Sequence, residues 1–171
     1  MIKGIVCVSA VNWGIGKNNG LLFNIPADMK FFRETTKHNI VVMGKATYDS
    51  LPKRPLPGRV NVVLWDKATS SDCLEGCIAF NAFEPLLNFV KILSKEYDVF
   101  ICGGASVYRL FLPYYDEVLV TKVNAEDKEA TVFFPNLDQD QSYYIDSELG
   151  SGMDNGLSYK FLKYKRRKLD D

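Results

Sequence analysis

The sequence is poor in the residues that build several common kinds of site. It contains a single histidine, His38, and four cysteines among 171 residues. Structural zinc sites need four such ligands at close spacing, and Cys73 and Cys77 have no partners near them in the sequence. We therefore expect no metal site and four reduced thiols, namely Cys7, Cys73, Cys77 and Cys102.

The chain also lacks net charge and long hydrophobic runs. Twenty-one basic and twenty-one acidic side chains cancel, so no overall field favours nucleic acid or an anionic membrane. The first apolar run, IVCVSAV, is too short to cross a bilayer and lacks the flanking pattern of a signal peptide. We expect a cytoplasmic protein without nucleic-acid or membrane partners, and we expect it to act as a monomer.

What the chain does contain is an alternation of strand and helix patterns. Strands are predicted at IKGIVCVSAV, NIVVM, RVNVVL, CIAF, DVFIC and EVLVTKV, with helices at PADMKFFRETT, KATYDSL, FEPLLNFVKIL and ASVYRLFL. Edge-like pieces follow near residues 131–134, 143–147 and 157–164. This pattern predicts one α/β domain, residues 1–171, with a mostly parallel sheet and an antiparallel end.

The basic segment KFLKYKRRK lies near the end of the chain. A run of basic residues such as this one can indicate a nucleic-acid contact. Its alternation of lysine with aromatic side chains instead favours a last edge strand with a solvated end.

Residues just after the strands are candidates for binding, because open parallel sheets hold ligands beyond the carboxyl ends of their strands. Glycine turns follow two of the strands, at GKAT and GGAS, and each opens a predicted helix. Such turns bring backbone amides close to a phosphate. Tight strand-to-helix packing also explains either turn by itself, whereas two turns in one sheet favour a dinucleotide.

Asp28 is the only acid before Glu34, and its neighbours in GLLFNIPADMKFF are mostly apolar. Pro26 suits the first position of a helix, which places Asp28 in the first turn and on one face with Phe32. An anionic acceptor beside an apolar ring suits a planar, nitrogen-rich, partly cationic heterocycle. The helix dipole alone also accounts for an acid at this position.

The segment VNWGIGKNNGLLFNIP connects the first strand to the Asp28 helix and is rich in glycine and apolar residues. Glycine supplies mobility, and the apolar side chains supply a reason to close on a bound ring. We predict that it acts as a lid that expels water.

Five segments occur together in a familiar order: IGKNNGLLFNIPADMKFF, VVMGKATYDSL, RPLPGR, ICGGASVY and VLVTKV. In order and approximate spacing they resemble dihydrofolate reductases, over most of the chain. The resemblance implies an eight-stranded sheet flanked by four helices, and an oxidoreductase that reduces 7,8-dihydrofolate to tetrahydrofolate with NADPH. It also implies that the peptide bond between Gly103 and Gly104 is cis.

The resemblance assigns roles at the substrate. Asp28 matches the acid that grips the amino-pyrimidine edge of the pterin, and Thr121 matches the threonine that hydrogen-bonds this acid. Arg59 matches the arginine that binds the α-carboxylate of the substrate's glutamate. Leu21 and Phe23 match further positions of the catalytic centre. The apolar walls of the cleft match Val6, Cys7, Met29, Phe32, Leu51, Leu56 and Cys102.

The resemblance likewise implies the cofactor contacts. Nicotinamide contacts match the start of the lid and the end of the first strand, and the two glycine turns match the phosphate sites. The residues concerned are Val8, Ile15, Gly16, Leu21, Gly44, Lys45, Ala46, Thr47, Leu64, Trp65, Asp66, Lys67, Cys102, Gly103, Gly104, Ala105, Ser106, Val107 and Tyr108.

Four positions depart from the family pattern. Phe23 and Leu22 replace the usual tryptophan and proline, and phenylalanine cannot donate a hydrogen bond to water near the substrate. Asp66 stands where relatives often have serine or arginine against the ribose 2′-phosphate, which makes NADH an alternative cofactor. Cys102 replaces isoleucine or valine, which makes the wall smaller where we expect diaminopyrimidine antifolates to bind.

Two other functions remain open from the sequence. One is a related reductase acting on a ribosylated pyrimidine in flavin synthesis, which shares the nucleotide-binding turns but does not need PLPGR. The other is a nucleotide-binding module of the same fold that has lost catalysis, with Phe23 and Asp66 as its signs.

Overall fold

The computed structural model describes residues 1–17, 20–71 and 73–168. The strands within these residues are β1 (Ile2–Ser9), β2 (Gly14–Lys17), β3 (Gly20–Leu21), β4 (Ile40–Gly44), β5 (Val60–Leu64), β6 (Cys77–Phe80), β7 (Val99–Ile101), β8 (Glu117–Val123), β9 (Val132–Phe133), β10 (Tyr143–Asp154) and β11 (Leu157–Arg166). The α-helices are α1 (Pro26–Thr36), α2 (Lys45–Ser50), α3 (Phe83–Leu93) and α4 (Ala105–Leu110).

The main sheet has eight strands in the order β10-β11-β8-β1-β7-β4-β5-β6 within the described residues. All neighbours from β8 to β6 pair in parallel, whereas β11 is antiparallel to both β8 and β10. Together with the four α-helices of the described chain, this confirms the predicted α/β fold. None of the helices in those same ranges is long and apolar enough to cross a membrane.

The central strands read as continuous apolar runs because both faces of the sheet are covered. In β4 the side chains of residues 40–43 are all buried. They divide between two hydrophobic clusters, with Val42 in one and Met43 in the other. Helix α3 contributes Leu86, Leu87 and Val90 to the Val42 side. Helix α1 packs Phe31 and Phe32 against the Met43 side, and this second face is the one that carries Asp28.

A second sheet, not foreseen from the sequence, joins the predicted lid to the piece near residue 132. Its three strands run in the order β3-β2-β9. Trp13 anchors the base of this sheet: it is buried, has a positive φ of 61°, and stacks on Phe134 at 6.3 Å. Residues 18 and 19 of the predicted lid lie outside the described residues.

The prediction that the basic C-terminal segment forms the last edge strand is wrong. Strand β11 lies between β8 and β10, and β10 forms the edge. A turn at Asn155 and Gly156, both with positive φ, folds the two long strands together. Alternation of polar and apolar residues reports which face a strand buries, and it contains no information about whether both strand edges are paired.

Candidate active site

Helix α1 positions Asp28 as the sequence predicts. It begins with Pro26 at its first position and carries Asp28 as the acid of its first turn. Ile25 is the residue before the helix, and its side chain makes no capping hydrogen bond. A helix start without a local cap leaves backbone amides that need other partners.

One of these amides has its partner far along the chain, and this contact is not predicted from the sequence. The Asp154 carboxylate accepts a hydrogen bond from the Ala27 amide at 2.9 Å, across 127 positions of the sequence. Beside it, the Asn155 amide group donates to the Asn24 carbonyl at 3.0 Å. The tip of the β10–β11 hairpin therefore holds the start of the Asp28 helix. The available signal was the apolar Ile25 in a capping position.

The Asp28 carboxylate lies over two neighbouring strands of the main sheet. The Thr121 hydroxyl of β8 donates to Asp28 Oδ1 at 2.6 Å, which is the hydrogen bond that the family resemblance implies. Cys7 of β1, the register partner of Thr121, lies within hydrogen-bonding reach of this carboxylate. Burial raises the pKa of Asp28 above its ordinary value, and the Thr121 and Cys7 hydrogen bonds oppose that rise. A carboxylate in this state favours a ligand that brings positive charge to it.

Apolar side chains form a wall beside this acid. Phe32, Leu51, Leu56 and Cys102 all pack against one cluster, which includes Ile5 and Leu119 of the sheet. They come from α1, from the segment after α2, from the approach to β5 and from the end of β7. The structure thus brings together four of the predicted cleft residues on the face that carries Asp28.

Two other predicted wall residues do not join that cluster. Met29 is 54% exposed, because it lies on the outer side of α1. The Val6 side chain packs into the opposite cluster, since successive residues of β1 face opposite sides of the sheet. Val8, Ile15, Val107 and Tyr108, which are predicted cofactor residues, lie in that same opposite cluster.

Arg59 lies at the end of α1 away from Asp28. Its Nε donates to the Pro57 carbonyl at 2.9 Å, and its Nη1 donates to the Thr36 hydroxyl at 3.1 Å. The guanidinium carbon lies 5.9 Å from the centre of the Phe32 ring. Burial lowers the pKa of Arg59, which still remains a cation. The result is a fixed positive group at the end of α1 opposite to Asp28.

The two glycine turns lie side by side at the ends of β4 and β7. The Gly44 amide donates to the Gly103 carbonyl at 2.9 Å, and the peptide between Gly103 and Gly104 is cis, as the resemblance implies. A Cβ at Gly44 would lie 3.2 Å from Val107 Cγ2, and one at Gly104 would lie 3.4 Å from the Thr47 hydroxyl. Side chains here would fill the space between the turns, so bare backbone suits the close approach of phosphate groups.

Lys45 places a cation at the first glycine turn. Its ammonium group contacts the Asp49 carboxylate at 2.8 Å and lies 4.8 Å from the centre of the Trp65 ring. Asp66 and Lys67 are exposed at the end of β5. Within residues 1–17, 20–71 and 73–168, Asp66 forms no ion pair with Lys45 or Lys67. The acid therefore faces solvent at a place predicted to meet the cofactor.

The lid segment is paired at its base and exposed at its end. Gly16 of β2 pairs with Leu21 of β3, and the Leu21 side chain is 74% exposed. Phe23, which follows, is partly buried. Lys17 of β2 forms an ion pair with Asp127 at 2.5 Å, which ties the lid to the segment before β9. The roles of Leu21 and Phe23 in catalysis stay predictions.

The cysteines and acids do not assemble a metal site in the part of the chain that the structure describes, where no group of three or more potential ligands lies together. Cys7, Cys73, Cys77 and Cys102 are free thiols. Burial raises the pKa of Cys102 to about 12, so this thiol is neutral at physiological pH.

Comparison with known proteins gives the family. The family model described as dihydrofolate reductase matches residues 1–166. A dihydrofolate reductase of Bacillus subtilis is 32% identical over 168 residues, which cover 98% of this chain and 95% of that protein. Those of Ureaplasma parvum and Heliothis virescens are 38% and 29% identical, over 71% and 95% of this chain and 74% and 96% of the relatives. The chain belongs to the dihydrofolate reductase family.

Proposed function

We propose that this protein reduces 7,8-dihydrofolate to 5,6,7,8-tetrahydrofolate with NADPH as the reductant. The observation that carries the proposal is the partly buried Asp28 carboxylate, held by Thr121 beside an apolar wall, with Arg59 at the other end of α1. A pterin with an aminobenzoyl-glutamate tail offers matching groups in the same order. These are a nitrogen-rich edge, flat apolar rings and a carboxylate.

Asp28 binds and polarises the pterin in this proposal. Its carboxylate accepts two parallel hydrogen bonds from the amino-pyrimidine edge, in the geometry that carboxylates adopt with arginine. The negative charge increases the fraction of substrate that is protonated on the ring nitrogen next to the carbon that is reduced. Asp28 itself is engaged with the amino-pyrimidine edge, so we infer that water delivers this proton.

Residues around the glycine turns hold the cofactor. The two glycine turns would let phosphate groups approach the backbone closely, while Val8, Ile15 and Tyr108 line the face next to β1. The nicotinamide cofactor supplies the hydride when it is bound. The Tyr108 hydroxyl donates to the Ile5 carbonyl at 2.8 Å, which fixes the ring under the second turn.

Asp66 weakens the preference for NADPH in this proposal, because its exposed charge repels a 2′-phosphate. We expect Asp66→Ser to raise the ratio of kcat/KM for NADPH to that for NADH by about fivefold, corresponding to roughly 1 kcal/mol between charges in water. The ratio is measured for the wild type and for Asp66→Ser at low and at high salt, and the gain in the variant should shrink in high salt. A fall in the ratio, or an equal change with both cofactors, would show that Asp66 does not face the 2′ position.

Phe23 is expected to limit the supply of the proton through water. We expect Phe23→Trp, which restores an indole N–H donor, to raise kcat or to move its pH profile toward higher pH, by about two- to tenfold in rate at alkaline pH. Phe23→Leu, which adds no donor, is the matched control. Identical rates and pH profiles for all three proteins would count against the idea.

One assay separates this activity from the two other functions that the sequence leaves open. Dihydrofolate added to protein and NADPH should cause loss of the NADPH absorbance. A related pyrimidine reductase would oxidise NADPH with a ribosylated pyrimidine and not with dihydrofolate. A module without catalysis would bind NADPH and leave its absorbance unchanged. We further propose that diaminopyrimidine antifolates bind against Asp28 and the wall that contains Cys102.

A further inference from the structure

Cys7 lies beside Thr121 under the Asp28 carboxylate. The two residues are register partners of the parallel pair β1 and β8, two positions beyond the partners Ile5 and Leu119. Paired residues of neighbouring strands project to the same face, and Ile5 and Leu119 fix that face as the one on which α1 packs. The position of Cys7 in the sheet therefore directs its side chain toward Asp28.

Two side chains of the sheet lie under the carboxylate. Thr121 donates to Oδ1 at 2.6 Å, and the Cys7 thiol on the neighbouring strand lies close enough to the carboxylate to be the second donor. We propose that Cys7 is a positioning residue, whose thiol donates a hydrogen bond to the Asp28 carboxylate and holds it in the orientation needed to bind the amino-pyrimidine edge. This inference rests on the proposed role of Asp28.

The thiol is suited to donation because it does not ionise. Burial and the negative charge of Asp28 both raise the pKa of Cys7. The other thiol of the cleft behaves differently, since Cys102 Sγ lies 3.4 Å from the carbonyl of Phe100 and so donates away from the acid. Cys102 is therefore a control of the same chemistry that does not contact Asp28.

Titratable groups near Asp28 come from several elements of the fold. Strand β1 contributes Cys7, helix α4 contributes Tyr108, whose pKa is raised mainly by burial and in part by Asp28, and β10 contributes Asp154 at the helix start. On α1 itself Lys30 is exposed and lies 4.0 Å from Glu34. Removing the Cys7 donor leaves burial to act on the carboxylate with one opposing hydrogen bond fewer, so the Asp28 titration should move to higher pH.

The test follows Asp28 in the free protein. The carboxyl ¹³C shift of Asp28 is titrated in the wild type and in Cys7→Ala, Cys7→Ser and Cys102→Ala. We expect the Cys7→Ala midpoint to move to higher pH, whereas Cys7→Ser, which keeps a donor, and Cys102→Ala should titrate close to the wild type. A 2,4-diaminopyrimidine should bind Cys7→Ala roughly two- to tenfold more weakly near neutral pH, as expected for one lost hydrogen bond.

The outcomes separate this inference from the function on which it rests. If Cys7→Ala titrates as the wild type does while the wild type reduces dihydrofolate, the positioning role is wrong and the function stands. If Cys102→Ala shifts the midpoint as much as Cys7→Ala, a general change in cleft packing is responsible and the proposal fails. If the wild type does not reduce dihydrofolate, the proposed function fails, and the Asp28 titration still decides whether the thiol donates.

Discussion

Asp28→Asn is expected to lower kcat/KM for dihydrofolate by about 10²–10⁴-fold near pH 7, the range associated with loss of a positioned acid or base. Asparagine keeps the shape of the side chain and removes its charge, so the pterin loses both a charge-assisted hydrogen-bond pair and the stabilisation of its protonated form. NADPH affinity should change little, because the glycine turns are separate from α1. Activity should recover in part at acidic pH, where solvent protonates the substrate.

The same substitution should stabilise the fold at neutral pH. Burial raises the pKa of Asp28 in the folded protein, so the folded state binds a proton more tightly than the unfolded state does. The stability associated with the protonated carboxyl is complete below the ordinary value of 3.8 and is lost as pH rises through the higher folded pKa. Asp28→Asn removes that loss, so its thermal midpoint should exceed that of the wild type at pH 7 and approach it near pH 3.

Thermal unfolding and steady-state kinetics on one preparation test both statements. Asp154→Asn serves as a matched control, because it removes an acid near the same helix turn without touching the cleft. It should retain far more activity than Asp28→Asn and should not gain stability. An active Asp28→Asn protein at pH 7 would remove the basis of the proposed mechanism.

Arg59→Gln is expected to raise KM for dihydrofolate by about 10- to 100-fold with a much smaller change in kcat. Hydrogen bonds between charged groups contribute about 1.5–3 kcal/mol, and Arg59 lies at the other end of α1 from the reacting ring. Arg59→Lys should recover only part of this binding, because an ammonium group keeps the charge and lacks the planar fork.

A pteridine substrate without the glutamate tail provides the control for Arg59. Its KM should be nearly the same in wild type, Arg59→Gln and Arg59→Lys, since the tail carboxylate is absent. A loss of equal size with and without the tail would show that Arg59 acts on the structure of the cleft, through Thr36 and Pro57, and does not bind the substrate.

Much of this fold follows from local patterns. Helix α1 matches the predicted PADMKFFRETT in every residue, because Pro26 marks its first position and apolar residues recur along one face. The parallel strands were found because continuous apolar runs such as IVVM are typical of strands covered on both faces. The small sheet of β3, β2 and β9 was missed, since its strands have two to four residues and their pairing partners are distant in the sequence.

The order of strands and helices, the position of Asp28 in a first turn and the two glycine turns follow from the sequence, because each depends on residues that are neighbours along the chain. Which of these features meet depends on how the elements pack. Packing set Cys7 and Thr121 side by side under Asp28, turned Val6 away, and brought Asp154 to the start of α1. Strand order and hairpin register arise from long-range packing, and local sequence patterns contain no record of the partner that a strand edge or a helix end will find.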